Sequence, residues 1–324
     1  MRRLAMKKKI ITLLCLLICQ SSLVYGELLV KPKGVDILRI SPDPRGSSMG
    51  KTGVGFSGVS VTGIYWNPAS IAGIDKRELA FMHNQWLNDI KYEFIGYSLP
   101  LEDRTAYLGI STAYLHMDKI PGRYITRLPM VDYSAYDLIS TIVYTRVYQY
   151  FGYGATVKLI SSKIENETAK GMGLDVGAIY NLDNELGLGI SMNNIGLKRS
   201  KFIDHKDSLP LSLRIGGYYK NRHRLLTCLE LIKELDRNVN LGCGVEYEVL
   251  KNNQNKNLYL RMGYNTNKNE KITAGIGITH SSLKLDYCYE PYNTYLGDTH
   301  RILLNYTTQT PSLPHSSRPE GGQF

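Results

Sequence analysis

The feature that most constrains this chain is an alternation of apolar with small or polar residues that sets in at residue 78 and persists to a last strand-like segment near residue 303. In 170–180, Met172, Leu174, Val176, Ala178 and Tyr180 share one parity, while Gly171, Gly173, Asp175 and Gly177 hold the other. The same pattern recurs in 185–193, where Leu186, Leu188, Ile190 and Met192 oppose Gly187, Gly189, Ser191 and Asn193. It returns in 271–279 and 283–290. A period of two places successive side chains on opposite faces of a β-strand, so these segments read as half-buried strands and not as helices.

Counting such runs between turn-like punctuation gives about fourteen strands, centred near residues 81, 96, 109, 141, 157, 175, 189, 214, 229, 243, 261, 275, 286 and 303. Short connections (101–104, 148–151, 181–184, 220–223, 280–282) alternate with long ones at 116–134 and 195–208. Two break the rule: the connection near 234–237 is short where a long one is due, and "LKNNQNKN" is long where a short one is due. Alternation alone fits a soluble β-sandwich as well as a barrel. The polar face separates them, because it carries Gly, Ser and single charges, as suits an enclosed lumen, in place of the Lys, Glu and Thr of an exposed sheet. Tyrosines near strand ends, including Tyr97, Tyr148, Tyr219, Tyr264 and Tyr306, fit the rings of a membrane interface. The expected fold is all-β, a 14-stranded antiparallel transmembrane β-barrel over 78–306 with an N-terminal Gly-rich plug over 27–77 and a polar tail over 307–324.

The N-terminus points the same way. Arg2, Arg3, Lys7, Lys8 and Lys9 precede an apolar run at 10–19, too short to span a bilayer as a helix, and "VYG" at 24–26 supplies a cleavage site. Residues 1–26 therefore read as an export signal peptide, and the expected location is the bacterial outer membrane. Without that segment the chain keeps 34 Lys and Arg against 29 Asp and Glu, a net of +5, which is no nucleic-acid footprint. No nucleic-acid partner is expected. Cys228, Cys243 and Cys288 have no metal-ligand spacing, and by parity Cys228 faces the lumen and Cys243 the lipid, so they should not be bridged. No nucleophile elbow, His-Glu-x-x-His element or paired-Cys spacing is present. No enzymatic activity, cofactor or metal is expected.

One stretch imitates a nucleotide site. "RGSSMGKTGVG" at 45–55 ends in Gly50, Lys51 and Thr52, but Gly46 stands one residue too close and Arg45 fills the position where a phosphate loop needs glycine. Upstream, "SPDPRG" carries Pro42 and Pro44 where a phosphate loop would follow a buried strand. Downstream, the glycine spacing of "TGVGFSGVSVTG" (52–63) disfavours a helix, and the glycines from Gly46 to Gly63 suit a compact irregular plug. A barrel of fourteen strands lies between small ones filled by side chains and wide water-filled porins, so its lumen needs filling.

"IYWNPASIAGI" (64–74), followed by "ELAFMHNQWLNDIKYEFIGYSLPL" (78–101), resembles the opening of PorV/PorQ-type proteins within the wider FadL-like outer-membrane superfamily. "MGKTGVGFSGVSVTGIYWNPA" resembles that family's glycine-rich lead into an Asn-Pro-Ala element set in an N-terminal hatch. "KGMGLDVGAIY", "LPLSLRIGGYY" and "LGDTHRILL" extend the resemblance over most of the chain, whereas "SPDPRGSS" departs from it. It implies a hatch motif at Trp66, Asn67, Pro68 and Ala69, acting either as part of a ligand gate or as a rigid wedge.

The parity of the strands adds Asp137, Lys158, Asp175, Arg214, Glu230, Arg261 and Asp286 as lumen-lining candidates, either along a solute path or in ion pairs that brace the interior. Ile120, Tyr124, Ile125, Leu128 and Met130 form an apolar set in the long loop, suited to a partner or a greasy solute. The PorV resemblance implies an accessory to protein export of the type IX kind, binding exported proteins or a secretion translocon. The FadL resemblance implies a transporter of small hydrophobic solutes such as long-chain fatty acids. Outer-membrane lipid is a partner under either reading.

Overall fold

The computed structural model describes residues 36–308 apart from 102–103, 118–133, 166, 184, 200–207, 253–255, 268–270 and 293–296. Its strands are β1 (Arg77–Gln85), β2 (Lys91–Pro100), β3 (Ala106–His116), β4 (Ala135–Tyr148), β5 (Phe151–Ile164), β6 (Glu167–Asp183) and β7 (Leu186–Arg199), then β8 (Ser212–Lys220), β9 (Leu225–Glu234), β10 (Val239–Asn252), β11 (Lys256–Asn265), β12 (Ile272–His280), β13 (Leu283–Glu290) and β14 (Thr299–Thr308). Each strand pairs antiparallel with its neighbours in sequence, and β1 closes on β14 from Arg77 opposite Thr308 to Gln85 opposite His300. Closure leaves no strand edge unpaired, which a bilayer requires because lipid offers no hydrogen bonds.

All fourteen segments read from the alternation coincide with strands. One connection differs: β10 runs on to Asn252 and β11 begins at Lys256, so five of the eight residues of "LKNNQNKN" lie in strands.

Outward residues form an apolar belt. Phe81, Ile95, Ile110, Leu159, Ile190, Ile215, Met262 and Leu304 are exposed, with Ile142 at 58%. On the end where β1 begins and β14 finishes, exposed Tyr144, Tyr148, Tyr153, Tyr219, Tyr247 and Tyr306 ring the belt, and Tyr114 and Tyr264 stand near the opposite end. Soluble monomers seldom expose apolar patches beyond about 300–600 Å², so an apolar band encircling the whole barrel with aromatic rings at its rims is a lipid-facing surface.

Residues 36–76 fill the lumen. Just ahead of 52–63, where the glycine spacing disfavours a helix, Pro44–Ser48 forms one α-helical turn, α1. Pro44 occupies a position where no amide is needed, and the Asp43 carboxylate accepts from the amides of Arg45 (3.2 Å) and Gly46 (3.0 Å). Tight 3-10 turns follow at Val61–Tyr65 and Pro68–Ile71.

The plug meets the wall in two chemically distinct sectors. Against β1–β5 and β14, plug residues Ile37, Leu38, Ile40, Val61, Ile64, Ile71 and Ile74 pack on inward-facing Met82, Tyr92, Phe94, Val143, Ile160 and Leu303. Against β8–β13 the contact is glycine-lined and rich in ion pairs and amide contacts, around a smaller apolar cluster of Met49 and Phe56 with Leu226, Cys228 and Tyr218. The apolar sector is the firmer one, since each fully buried aliphatic side chain contributes about 1.5–3 kcal/mol, whereas a buried ion pair is close to neutral once desolvation is counted.

Candidate functional site

The Asn-Pro-Ala element is held by four neighbouring strands of the wall, β4–β7. Asn67 is fully buried, and its side-chain amide donates to the Val54 carbonyl in the plug (2.8 Å) and to the carbonyls of Ala178 (3.1 Å) and Ile190 (3.3 Å) in β6 and β7. Its side-chain oxygen accepts from the Ala69 amide (2.9 Å) and caps the turn that follows. The Pro68 carbonyl accepts from the Thr145 hydroxyl (2.6 Å), and the Trp66 carbonyl from the Ser191 hydroxyl (2.7 Å). The wall is glycine where the element touches it: a Cβ on Gly177 would overlap the Asn67 amide, and one on Gly154 would overlap the Pro68 carbonyl.

Asp43 ties the two halves of the plug together. Besides capping α1, it accepts from the Trp66 indole (2.8 Å). Trp66 in turn lies 4.9 Å beneath the Arg214 guanidinium, with its ring against Gly53.

Six of the seven lumen candidates are buried in interior contacts. Lys158 pairs with Asp175 (2.6 Å) and also donates to Asn194 (2.8 Å). Arg214 pairs with Glu230 (2.7 Å), whose other oxygen accepts from the plug amides of Gly53 (2.7 Å) and Val54 (2.9 Å). Arg261 bridges Glu246 (2.7 Å) and Asp286 (2.6 Å), and Lys284 completes the row on Asp286 (2.9 Å). Asp137 is half-buried on β4, opposite Leu115 of β3 and Ser162 of β5 in register. The loop set Ile120, Tyr124, Ile125, Leu128 and Met130 lies outside the described residues.

Sequence reasoning missed the cations on the plug and the carboxylates that receive them. Arg39 meets Glu234 (3.0 Å) and Asp236, Arg45 meets Glu246 through both nitrogens (2.6 and 2.9 Å), and Lys51 reaches Glu290 (3.6 Å). Glu78 accepts from the Ser60 hydroxyl (2.6 Å) and the Val61 amide (3.0 Å). In these ion pairs the plug supplies the cations and the wall the carboxylates, whereas Thr145, Ser191 and Asn265 of the wall donate to plug carbonyls. Glu246, Glu290 and Arg301 have the inward parity of their strands, so the alternation that picked out Asp286 marks them too. Burial opposes the Arg45 charge, but Glu246 outweighs it and holds the guanidinium above its ordinary range. Burial pushes the Tyr65 phenol up to about 12, against the pull of Arg214.

The lookalike phosphate loop has a structural task. Gly50, at φ +73°, donates its amide to the Thr273 hydroxyl (3.1 Å), and its carbonyl accepts from Asn265 (3.0 Å). Met49 and Gly50 press on a flat patch made by Gly242, Gly244 and Gly263, where any Cβ would collide with them.

Among the described residues the plug packs closely on the wall. A cavity lined by Arg39, Tyr65, Lys158, Asn193 and Arg214 measures about 10 Å³, room for about one water. A larger concavity of about 370 Å³ lies along Phe81, Ile95, Ile302 and Leu304 on the lipid-facing surface.

No family model matches the sequence, and no curated protein does. Solved structures do. The toluene transporter TodX of Pseudomonas putida superposes with a TM-score of 0.57 at 12% identity, over 82% of this chain and 96% of that one. A FadL homologue of Pseudomonas aeruginosa gives 0.56 at 12% identity, over 82% and 98%. The chain has the fold of the FadL-like barrels. At this identity the likeness is one of architecture, and the Asn-Pro-Ala element at 67–69 stands inside that architecture as part of the plug.

Proposed function

We propose that this protein is a bacterial outer-membrane barrel that passes small hydrophobic solutes by displacement of its plug. The observation that carries the reading is the combination of a closed, lipid-facing barrel of FadL-like fold with a lumen sealed by a separate segment fastened through polar, exchangeable contacts on one side. A sealed lumen excludes free diffusion through an open pore, so passage needs movement of residues 44–58. The β8–β13 side is the side to part, because water can replace its ion pairs and amide contacts at small net cost. Selection and movement of a solute require no bond chemistry.

The export-accessory reading implied by the PorV/PorQ resemblance draws no support from the interior, and the loop that would bear a partner lies outside the described residues. The test is uptake. Intact Gram-negative cells expressing the full chain should accumulate radiolabelled toluene faster than cells without it, since their outer leaflet slows hydrophobic solutes. Equal rates, with the barrel demonstrably in the outer membrane, would refute transport of that class. Stoichiometric recovery of a large membrane partner would then return the export reading to the front.

A further inference from the structure

The outer face of the wall changes around the barrel. β1 and β5 start from the same end, yet β5 sets Phe151, Tyr153, Ala155, Val157 and Leu159 outward in succession, whereas β1 sets Leu79 and Phe81 and then turns polar at His83. Register shows that five strands share this change. Across β3, β2, β1, β14 and β13, one outward rung is Thr112, Ile95, Phe81, Leu304 and Leu285, apolar apart from its threonine. Two residues along each strand, the next rung is Tyr114, Glu93, His83, Ile302 and Tyr287, and the one after it is His116, Lys91, Gln85, His300 and Tyr289. Residues two apart on a strand share a face, so the wall passes from apolar to fully polar within about 13 Å of strand.

The polar groups are tied in pairs. His83 Nδ1 and Glu93 Oε1 are 2.8 Å apart, as are the Tyr287 hydroxyl and His300 Nδ1. The Tyr289 hydroxyl donates to Asp298 (2.6 Å), just beyond the last rung. This boundary is also where the wall is hollow. The concavity of about 370 Å³ spans the first two rungs, with Phe81, Ile95, Ile302 and Leu304 as its apolar part and Glu93, His83 and Tyr114 at its polar end. The His83 and Glu93 side chains are 48% and 42% exposed. Ionisable groups turned toward lipid are costly in the hydrocarbon and cheap at headgroup depth, so this pair marks where headgroups begin.

The concavity is continuous with the apolar belt, so lipid covers it, and its polar end selects the headgroup. The carboxylates there, Glu93 and Asp298, outnumber the one ammonium, Lys91. A ligand that brings its own ammonium restores the balance, and Glu93 with the Tyr114 ring opposite it in register suits that group. Lys91, one rung further out on the same strand, suits a phosphate. We infer that this groove binds one phosphatidylethanolamine, with an acyl chain along Phe81, Ile95, Ile302 and Leu304, its ammonium on Glu93 and its phosphate on Lys91. The inference goes beyond transport, because a barrel that passes no solute would bind the lipid equally well.

The test uses the purified full-length protein in detergent, stripped of native lipid and weighed by native mass spectrometry after it is offered equal amounts of phosphatidylethanolamine and phosphatidylglycerol with identical acyl chains. The two lipids share chains and phosphate and differ in the ammonium. One molecule of phosphatidylethanolamine per barrel should be retained about tenfold more than phosphatidylglycerol, as one hydrogen bond to a charged group provides. Glu93→Gln should abolish that preference. Lys91→Met should weaken retention of both lipids together and leave their ratio unchanged, which a merely structural role for Lys91 would not do. Heat-modifiable mobility on gels confirms that both variants fold. Equal retention of the two lipids by the parent, a preference that survives Glu93→Gln, or displacement of both lipids by lipopolysaccharide overturns the site. None of these outcomes bears on toluene uptake, so the site and the transport reading fall separately.

Discussion

Thr52 of the plug and Cys228 of β9 are in direct contact, with Oγ1 and Sγ 2.9 Å apart and both side chains buried. They stand where the glycine-rich segment crosses the polar sector of the wall, the side proposed to part.

Because Cys228 is a free thiol, Thr52→Cys alone should create a plug-to-wall lock. A disulfide needs its sulfurs about 2.05 Å apart, within about 1 Å of what the native pair shows. Oxidised Thr52→Cys protein should lose free thiol without forming dimers, and its solute uptake should fall to the level of cells lacking the protein. Reduction should restore uptake. If the oxidised variant transports like its parent, the plug does not part from β9.

Glu230 fastens the plug to the β8–β13 side, since one side chain accepts from two plug amides and from Arg214. Glu230→Gln leaves Arg214 buried without its counter-ion, at a cost of roughly 3–5 kcal/mol for a broken buried pair. That cost should appear as proteolytic cleavage within 44–58, while 61–74, anchored by Val61, Ile64, Ile71 and Ile74, stays protected. Limited proteolysis with mass mapping reads the difference.

How much of this was legible beforehand follows from which face a residue serves. The lipid face is mostly apolar, so its alternation located all the strands, and with them the inward parity of Lys158, Asp175, Arg214, Glu230, Arg261 and Asp286. The apolar sector was not legible, because inward Met82, Phe94, Val143 and Leu303 make β1–β5 and β14 apolar on both faces and blur the period exactly where the plug packs. Pairings such as Arg45 with Glu246, 201 residues apart, depend on closure of the barrel and have no local signal. The helix at 44–48 did have one, in Asp43 followed by Pro44, which the reading of this stretch as a failed phosphate loop passed over.

Gly263 tests whether the flat patch seats the plug. A Cβ there would overlap Met49 and Gly50, and the backbone cannot yield without breaking the ladder to β10 and β12. Gly263→Val should leave strand content by circular dichroism unchanged while exposing 44–58 to protease and raising ion conductance in planar bilayers. Its outward neighbour Met262, 58% exposed, is the control, and Met262→Ala should alter none of these. A silent Gly263→Val would show that the tip is not seated there.

The orientation of the faces has its own test, independent of any solute. Ile142 is exposed at mid-strand on β4, whereas Tyr148 is exposed at the strand end within the aromatic ring. Arginine on the lipid face of a barrel costs about 2–4 kcal/mol at the bilayer midplane and about 0–1 kcal/mol near the interface. Ile142→Arg should therefore lower unfolding free energy in lipid vesicles by the larger amount, and Tyr148→Arg by the smaller. A soluble surface would not distinguish the two, because both side chains would meet water. Equal and negligible effects would mean that the apolar belt does not face lipid, and the outer-membrane assignment would fall with it.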